Sequence, residues 1–162
     1  MKESSRLASH EDLEILSFLR SEAVSELKDK RGGEVFLNLK TFSSDSLANF
    51  SHWLNSSDHR VVAGLFGEAV VAYGVLEFAS TNDGERIASI KELFVMEDAR
   101  SVGVGECLMD FLVNQAIENK VIGIDSFALP GDRETKNFFE SQGMVARLIQ
   151  VYRPIESGND KT

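Results

Sequence analysis

An α/β fold with a mixed, mainly antiparallel central sheet, helices on both faces and one β-α-β unit is what this chain predicts, and three observations carry it. Between residues 91 and 108 the apolar period changes. Leu93, Phe94, Val95 and Met96 suit a buried strand, whereas residues 106–119 carry Leu108, Met109, Leu112, Val113, Ala116 and Ile117 at helical spacing. Upstream, residues 60–66 and 69–79 are two β-branched-rich runs joined across Gly67-Glu68, and a turn at residues 81–84 returns the chain as a strand over 86–96. These make a three-stranded antiparallel meander. Downstream, residues 121–128 read as a strand, so strand, helix and strand form a right-handed crossover with parallel strands.

The other elements follow from local signals. Residues 4–8 read as a short edge strand. Ser9 is a cap with Glu11 and Asp12 in the first turn, ahead of Leu13, Ile15, Leu16, Leu19, Ala23, Val24 and Leu27, an amphipathic helix running to about Lys30. Arg31-Gly32-Gly33 stops it, and residues 34–39 read as extended. A second helix is expected over 45–54 with Ser44 as cap, the pair lying along the sheet and leaving a groove for substrate. Gly74, inside a strand, signals a bulge or a close approach. Pro130-Gly131 ends the strand at 121–128, Asp132 or Arg133 opens a helix through Phe138 and Phe139, and Gly143 closes it. Residues 144–152 alternate weakly and read as a last strand, which leaves an edge open to another copy of the chain, a homodimer.

A chain of 162 residues fits one domain, expected over 1–156 with 157–162 a frayed tail, and a domain of this size buries roughly 70% of its unfolded surface. The formal charge of −9, with no basic run, argues against nucleic acid and anionic membrane as partners and favours a cationic amine. A single cysteine, Cys107, excludes an intrachain disulfide framework, no apolar run reaches spanning length, and residues 1–6 lack an apolar signal core. The expectation is a cytoplasmic protein. His10, His52 and His59 lack metal-ligand spacing and are read as surface residues, with no metal implied.

Gly103 and Gly105 let the backbone approach a ligand, and the unpaired N–H groups of the following helical turn point at it. Such a turn is an anion site that a pyrophosphate fits. The spacing Arg100-Ser-Val-Gly103-Val-Gly105 resembles the Arg/Gln-x-x-Gly-x-Gly/Ala signature of the GNAT acetyltransferase superfamily, with Glu92-Leu-Phe-Val95 before it and Asn137-Phe-Phe-Glu-Ser-Gln-Gly143 where the superfamily has Phe-Tyr-Glu-x-x-Gly. The resemblance covers roughly residues 60–153. A narrower similarity, residues 129–140 together with Arg31-Gly-Gly33, is to a little-characterised bacterial branch.

The resemblance implies acetyl-coenzyme A as co-substrate, held by the amides of Val102, Gly103, Val104 and Gly105, the charge of Arg100, and the backbone of Phe94 and Val95, which would pair with the pantetheine arm where the parallel strands part. It also places Asp132, where the superfamily often has Asn, and Asn137 at the coenzyme. The acceptor would be a primary amine on a small molecule or peptide. Glu92, a carboxylate in an otherwise apolar strand, is the candidate general base, with a salt-bridged carboxylate as the competing reading. Strand alternation puts it on the face of Ile90 and opposite Lys91, Leu93 and Val95. Phe139 stands where the superfamily often carries a tyrosine acid and cannot donate a proton. Tyr73, Tyr152, Ser126 and Asn137 are weaker candidates for that role, and Cys107 reads as a buried filler. The alternative function is a coenzyme-A-binding sensor or partner module with little or no turnover.

Overall fold

The computed structural model describes residues 1–156. A five-stranded sheet runs in the order β1 (Glu3–Leu7), β2 (His59–Phe66), β3 (Ala69–Ser80), β4 (Arg86–Val95) and β5 (Ile124–Asp125). The first three pairings are antiparallel and β4 with β5 is parallel. The helices are α1 (Leu13–Lys28), α2 (Gly33–Asn38), α3 (Ser46–Asn55), α4 (Val104–Glu118) and α5 (Arg133–Ser141). Strand alternation sends side chains to two cores. Val62, Leu76, Ile90, Leu108 and Leu112 pack between the sheet and α4, while Leu16, Leu19, Phe50, Tyr73 and Val75 pack between the sheet and the pair α1 and α3.

The start of α1 follows from polar side chains as much as from its apolar stripe. The Ser9 amide donates to Asp12 Oδ2 at 2.8 Å, and Arg6 of β1 grips the same carboxylate with two hydrogen bonds of 2.7 and 2.9 Å. The Arg6 hydrogen bonds hold the Asp12 carboxyl below the usual range, aided by Ser9 and against the effect of burial. The first strand and first helix are thereby joined.

Four expectations are corrected. Residues 34–39 are not extended, because Gly33–Asn38 forms α2. The cap of α3 is Asp45, which accepts from the Ala48 amide at 3.0 Å, and not Ser44. The strand expected over 121–128 pairs only at Ile124 and Asp125, opposite Ala88 and Ser89. Residues 144–152 form no strand, and the expected tail at 157–162 lies outside the described residues. Weak alternation was the signal for residues 144–152, and a strand also needs a partner edge at the right distance.

The short β5 has a local cause in β4. Val75 pairs with Glu92 and Leu76 with Ile90, so Lys91 is an extra residue without a partner on β3. This bulge bends the strand. Beyond Asp125 the ladder is replaced by one side-chain bond, Ser126 Oγ donating to the Ile90 carbonyl at 2.9 Å. The two parallel strands part there, as the resemblance implied. Gly74 is a close approach and not a bulge, since a Cβ on it would lie 2.8 Å from Leu112 Cδ1.

Candidate functional site

The bulge at Lys91 decides where Glu92 points. Alternation alone puts Glu92 on the face of Ile90, but the extra residue reverses the phase. Ile90 packs toward α4, and Glu92 turns to the opposite face, toward α1. There its carboxylate meets polar partners. Arg20 Nε of α1 donates to Oε1 at 2.8 Å and to Oε2 at 3.1 Å, and the Tyr73 hydroxyl donates to Oε1 at 2.9 Å. Arg20 Nη1 donates in turn to Ser46 Oγ at 3.1 Å, and the guanidinium lies over the rings of Phe42 and Trp53 at 4.7 and 5.9 Å. The Arg20 side chain is 2% exposed and that of Glu92 is 19%, so the carboxylate is the open end of a buried network. Of the two readings of Glu92, the salt-bridged one describes its contacts.

Burial pushes the Tyr73 phenol well above the usual tyrosine range, and the neighbouring Glu92 charge pushes the same way. The hydroxyl therefore stays protonated and serves as a donor to Glu92. Neither aromatic ring of α5 offers a proton. Phe139 is buried in the core beneath α4, and Phe138 lies against Gly105, where a Cβ would sit 3.5 Å from its ring.

At the other end of the parted strands α4 begins. Gly103 has a φ of +86°, the left-handed region that favours glycine, and turns the chain into the helix. The first helical bond runs from the Cys107 amide to the Gly103 carbonyl, which leaves the amides of Val104, Gly105 and Glu106 directed out of the helix start. Val102 is exposed and the Val104 side chain is buried beneath the turn. Phe94 packs on the α1 side of β4, and its neighbour Val95 offers its carbonyl to Arg100 Nε at 2.9 Å.

Arg100 does not stand free beside the loop. Its guanidinium donates to both oxygens of Glu26 on α1, at 2.9 and 2.8 Å, and to Glu134 on α5 at 3.2 Å. It spans the opening between the two helices. Asp132 caps α5, accepting from the Thr135 amide and hydroxyl, and Asn137 is exposed on that helix. His59 is not a surface residue; it is mostly buried and bonds to Ser56 and Glu77 at 2.8 and 2.9 Å. The half-buried Cys107 thiol accepts from Ser5 Oγ. Among the described residues no group of His, Cys, Asp and Glu could hold a metal ion.

Sequence reasoning missed Arg20, Ser46 and Glu26, and for Arg20 a signal existed. Leu13, Leu16, Arg20, Ala23 and Leu27 form one stripe of the helix, and an arginine within an apolar stripe requires a buried partner. Also missed was an aromatic run over the parted strands: Phe36 of α2 lies 5.6 Å from Phe42 and 5.2 Å from Phe127, centre to centre. Beside it, the backbone of Arg31 packs so closely on Gly131 that a Cβ there would lie 2.4 Å from the Arg31 nitrogen. The two stretches that carried the narrower similarity touch.

A family model described as the acetyltransferase (GNAT) family matches residues 22–144, which include Glu92, the loop at Gly103 and α5. The chain belongs to the GNAT acetyltransferase family. Solved structures with the same GNAT fold include a tetramutant of the BH1408 protein from Bacillus halodurans, at TM-score 0.80 and 18% identity over 93% of this chain and 99% of that one. A ribosomal-protein-alanine N-acetyltransferase from Brucella melitensis superposes at TM-score 0.72 and 13% identity, over 96% of this chain and 100% of that one. An aminoglycoside acetyltransferase from an uncultured soil metagenomic sample, in complex with sisomicin, does so at TM-score 0.70 and 18% identity, over 95% and 97%. Such identities show a shared GNAT fold. No curated protein matches the sequence. No helix among the described residues is long and apolar enough to cross a membrane.

Proposed function

We propose that this GNAT chain transfers an acetyl group from acetyl-coenzyme A to a primary amine by direct attack. The observation that carries the reading is the parting of β4 and β5 after Ser89 and Asp125, with a helix N-terminus at one end of the gap and a carboxylate near the other. The donor chemistry fits the coenzyme. The edge of β4 beyond Ile90 has no β5 partner and suits the amides of a pantetheine arm, and the first-turn amides of α4 suit a pyrophosphate. When bound, the coenzyme supplies acetyl as a thioester.

In this reading Phe94 and Val95 hold the arm, the turn at 102–105 holds phosphate, and Arg100 turns from Glu26 and Glu134 toward the anion. Asp132 keeps its role as a cap, and Asn137 is close enough in sequence to the Phe138 contact to flank the arm. Glu92 accepts the ammonium proton, directly or through a water, through lone pairs that Arg20 and Tyr73 leave free. Arg20 and Tyr73 are positioning residues that fix the carboxylate. No tyrosine of α5 meets the departing thiolate. A thiol is acidic enough to leave without a protein acid.

The ion pair of Glu92 with Arg20 favours a second reading, a coenzyme-binding module with little turnover, because the contacts of this carboxylate are those of a structural ion pair. Calorimetry with acetyl-coenzyme A, followed by free-thiol release across a panel of primary amines, separates the two. Binding with amine-dependent thiol release supports transfer. Binding without it supports the module, and no binding removes both.

A further inference from the structure

Three phenylalanines stand outside both cores and cross the gap between the parted strands. Phenylalanine is among the residues most often fully buried, yet Phe36, Phe42 and Phe127 belong to neither buried cluster. The Phe42 ring lies 4.7 Å from the Arg20 guanidinium, which in turn holds Glu92 at 2.8 Å. Phe36 follows at 5.6 Å from Phe42, and Phe127 at 5.2 Å from Phe36, with the rings tilted at 52° and 47°. Phe127 comes directly after Ser126, which is tied to β4, and is 49% exposed. The run of rings therefore starts one side chain from the Glu92 carboxylate, crosses the gap and ends on an open face.

The charges around the gap narrow what such a wall can receive. Asp125 is engaged by Ser89 and Arg147, and Asp45 and Asp132 cap helices. Glu34 of α2 faces the α1–α2 turn beside Lys28 and Lys30. Glu26 and Glu134 stand at the coenzyme end, on Arg100. Among the described residues this leaves Glu92 as the carboxylate beside the rings. A polyamine needs several acids along its length, whereas one acid beside an aromatic wall suits a single ammonium on an apolar body.

We infer that the acceptor is a primary monoamine carried on an aromatic body, an arylalkylamine, with its nitrogen at Glu92 and its ring against Phe36, Phe42 and Phe127. The inference rests on the acetyl-transfer reading above and names its acceptor. The acceptor ring adds one more member to a run whose spacing already falls in the range of favourable aromatic pairs. The ammonium gives one proton to Glu92 before attack. As the C–N bond forms and the C–S bond breaks, a second proton leaves the nitrogen and the thiolate takes it. Phe36, Phe42 and Phe127 set which amine is accepted and take no part in these proton steps.

The test compares 2-phenylethylamine, n-butylamine and spermidine on the full chain by two readouts. The first is binding with coenzyme A in excess, followed by calorimetry and by the fluorescence of Trp53, the single tryptophan, whose ring lies 5.9 Å from the Arg20 guanidinium. The second is thiol release from acetyl-coenzyme A. The expected result is that 2-phenylethylamine exceeds both other amines by roughly tenfold or more, in affinity and in kcat/KM. Phe127→Ala and Phe36→Ala should each lower the ratio of 2-phenylethylamine to n-butylamine by about five-fold or more. Equal or better use of n-butylamine or spermidine overturns the inference and leaves the transfer reading intact. A ratio unchanged in both variants also overturns it, since the rings would then be packing for α2. Selective binding of 2-phenylethylamine without thiol release supports the ring site and overturns the transfer reading beneath it. Absence of both binding and release overturns both.

Discussion

Arg20 occupies a place that the spacing of Leu13, Leu16, Ala23 and Leu27 reserves for an apolar side chain, and Glu92 is the reason it can. A guanidinium taken out of water requires a carboxylate at hydrogen-bond distance, and Tyr73 and Ser46 complete the set. If Glu92 takes the proton of the acceptor, Glu92→Gln should lower turnover by roughly 10² or more while coenzyme affinity stays within a few-fold. Losing the charge opposite Arg20 should also cost about 1–3 kcal/mol, seen in denaturant unfolding. Near-parental turnover in the folded variant would remove Glu92 as base and leave the ion pair as its role. Tyr73 gives a pH test. Its phenol is raised above the value of an unfolded tyrosine, about 10, so between that value and its folded value the folded state keeps a proton that the unfolded state has lost. Its contribution is fully present below pH about 10 and is lost as pH rises further. Stability of the parent should therefore fall more steeply above pH about 10 than that of Tyr73→Phe, measured by urea midpoints across the alkaline range.

Between elements, the bulge at Lys91 and the clamp at Arg100 matter most. The bulge turns Glu92 toward α1 and bends β4 away from β5, so one extra residue both aims the carboxylate and opens the gap. Arg100 ties β4, α1 and α5 across that gap. If Arg100 serves phosphate, Glu26→Gln frees it, and coenzyme affinity should rise by about two- to five-fold at low salt and by less at high salt. A fall in affinity would instead make Arg100 a clip that holds the opening in shape. Calorimetric titration at two ionic strengths decides.

Across the whole molecule, the turn at Arg31-Gly32 meets the loop at Pro130-Gly131, although the full meander, α4 and β5 lie between them in sequence. This contact and the Phe36–Phe127 pair dock α2 on the far arm of the parted strands. Gly131→Ala would drive a Cβ into the Arg31 backbone, which cannot swing aside as a side chain can. It should cost about 1–3 kcal/mol, a drop of several degrees in Tm for a chain this long. An unchanged Tm would show that the two stretches are not in contact.

The sequence by itself determined the meander, the crossover helix, the glycine turn into α4 and the family, because each rests on local periodicity or on spacing within a few residues. Hydrophobic period, turn residues and Gly-x-Gly spacing act through neighbours in the chain and can be read there. Only the tertiary structure decided the face of Glu92, since a bulge is one residue set against a partner strand. It alone decided the partners of Arg100, because Glu26 and Glu134 lie on helices far away in sequence. It also denied residues 144–152 their strand, as alternation along the chain suits extension but supplies no edge to pair with. What sets these features is the distance between elements, and a chain read in order does not contain it.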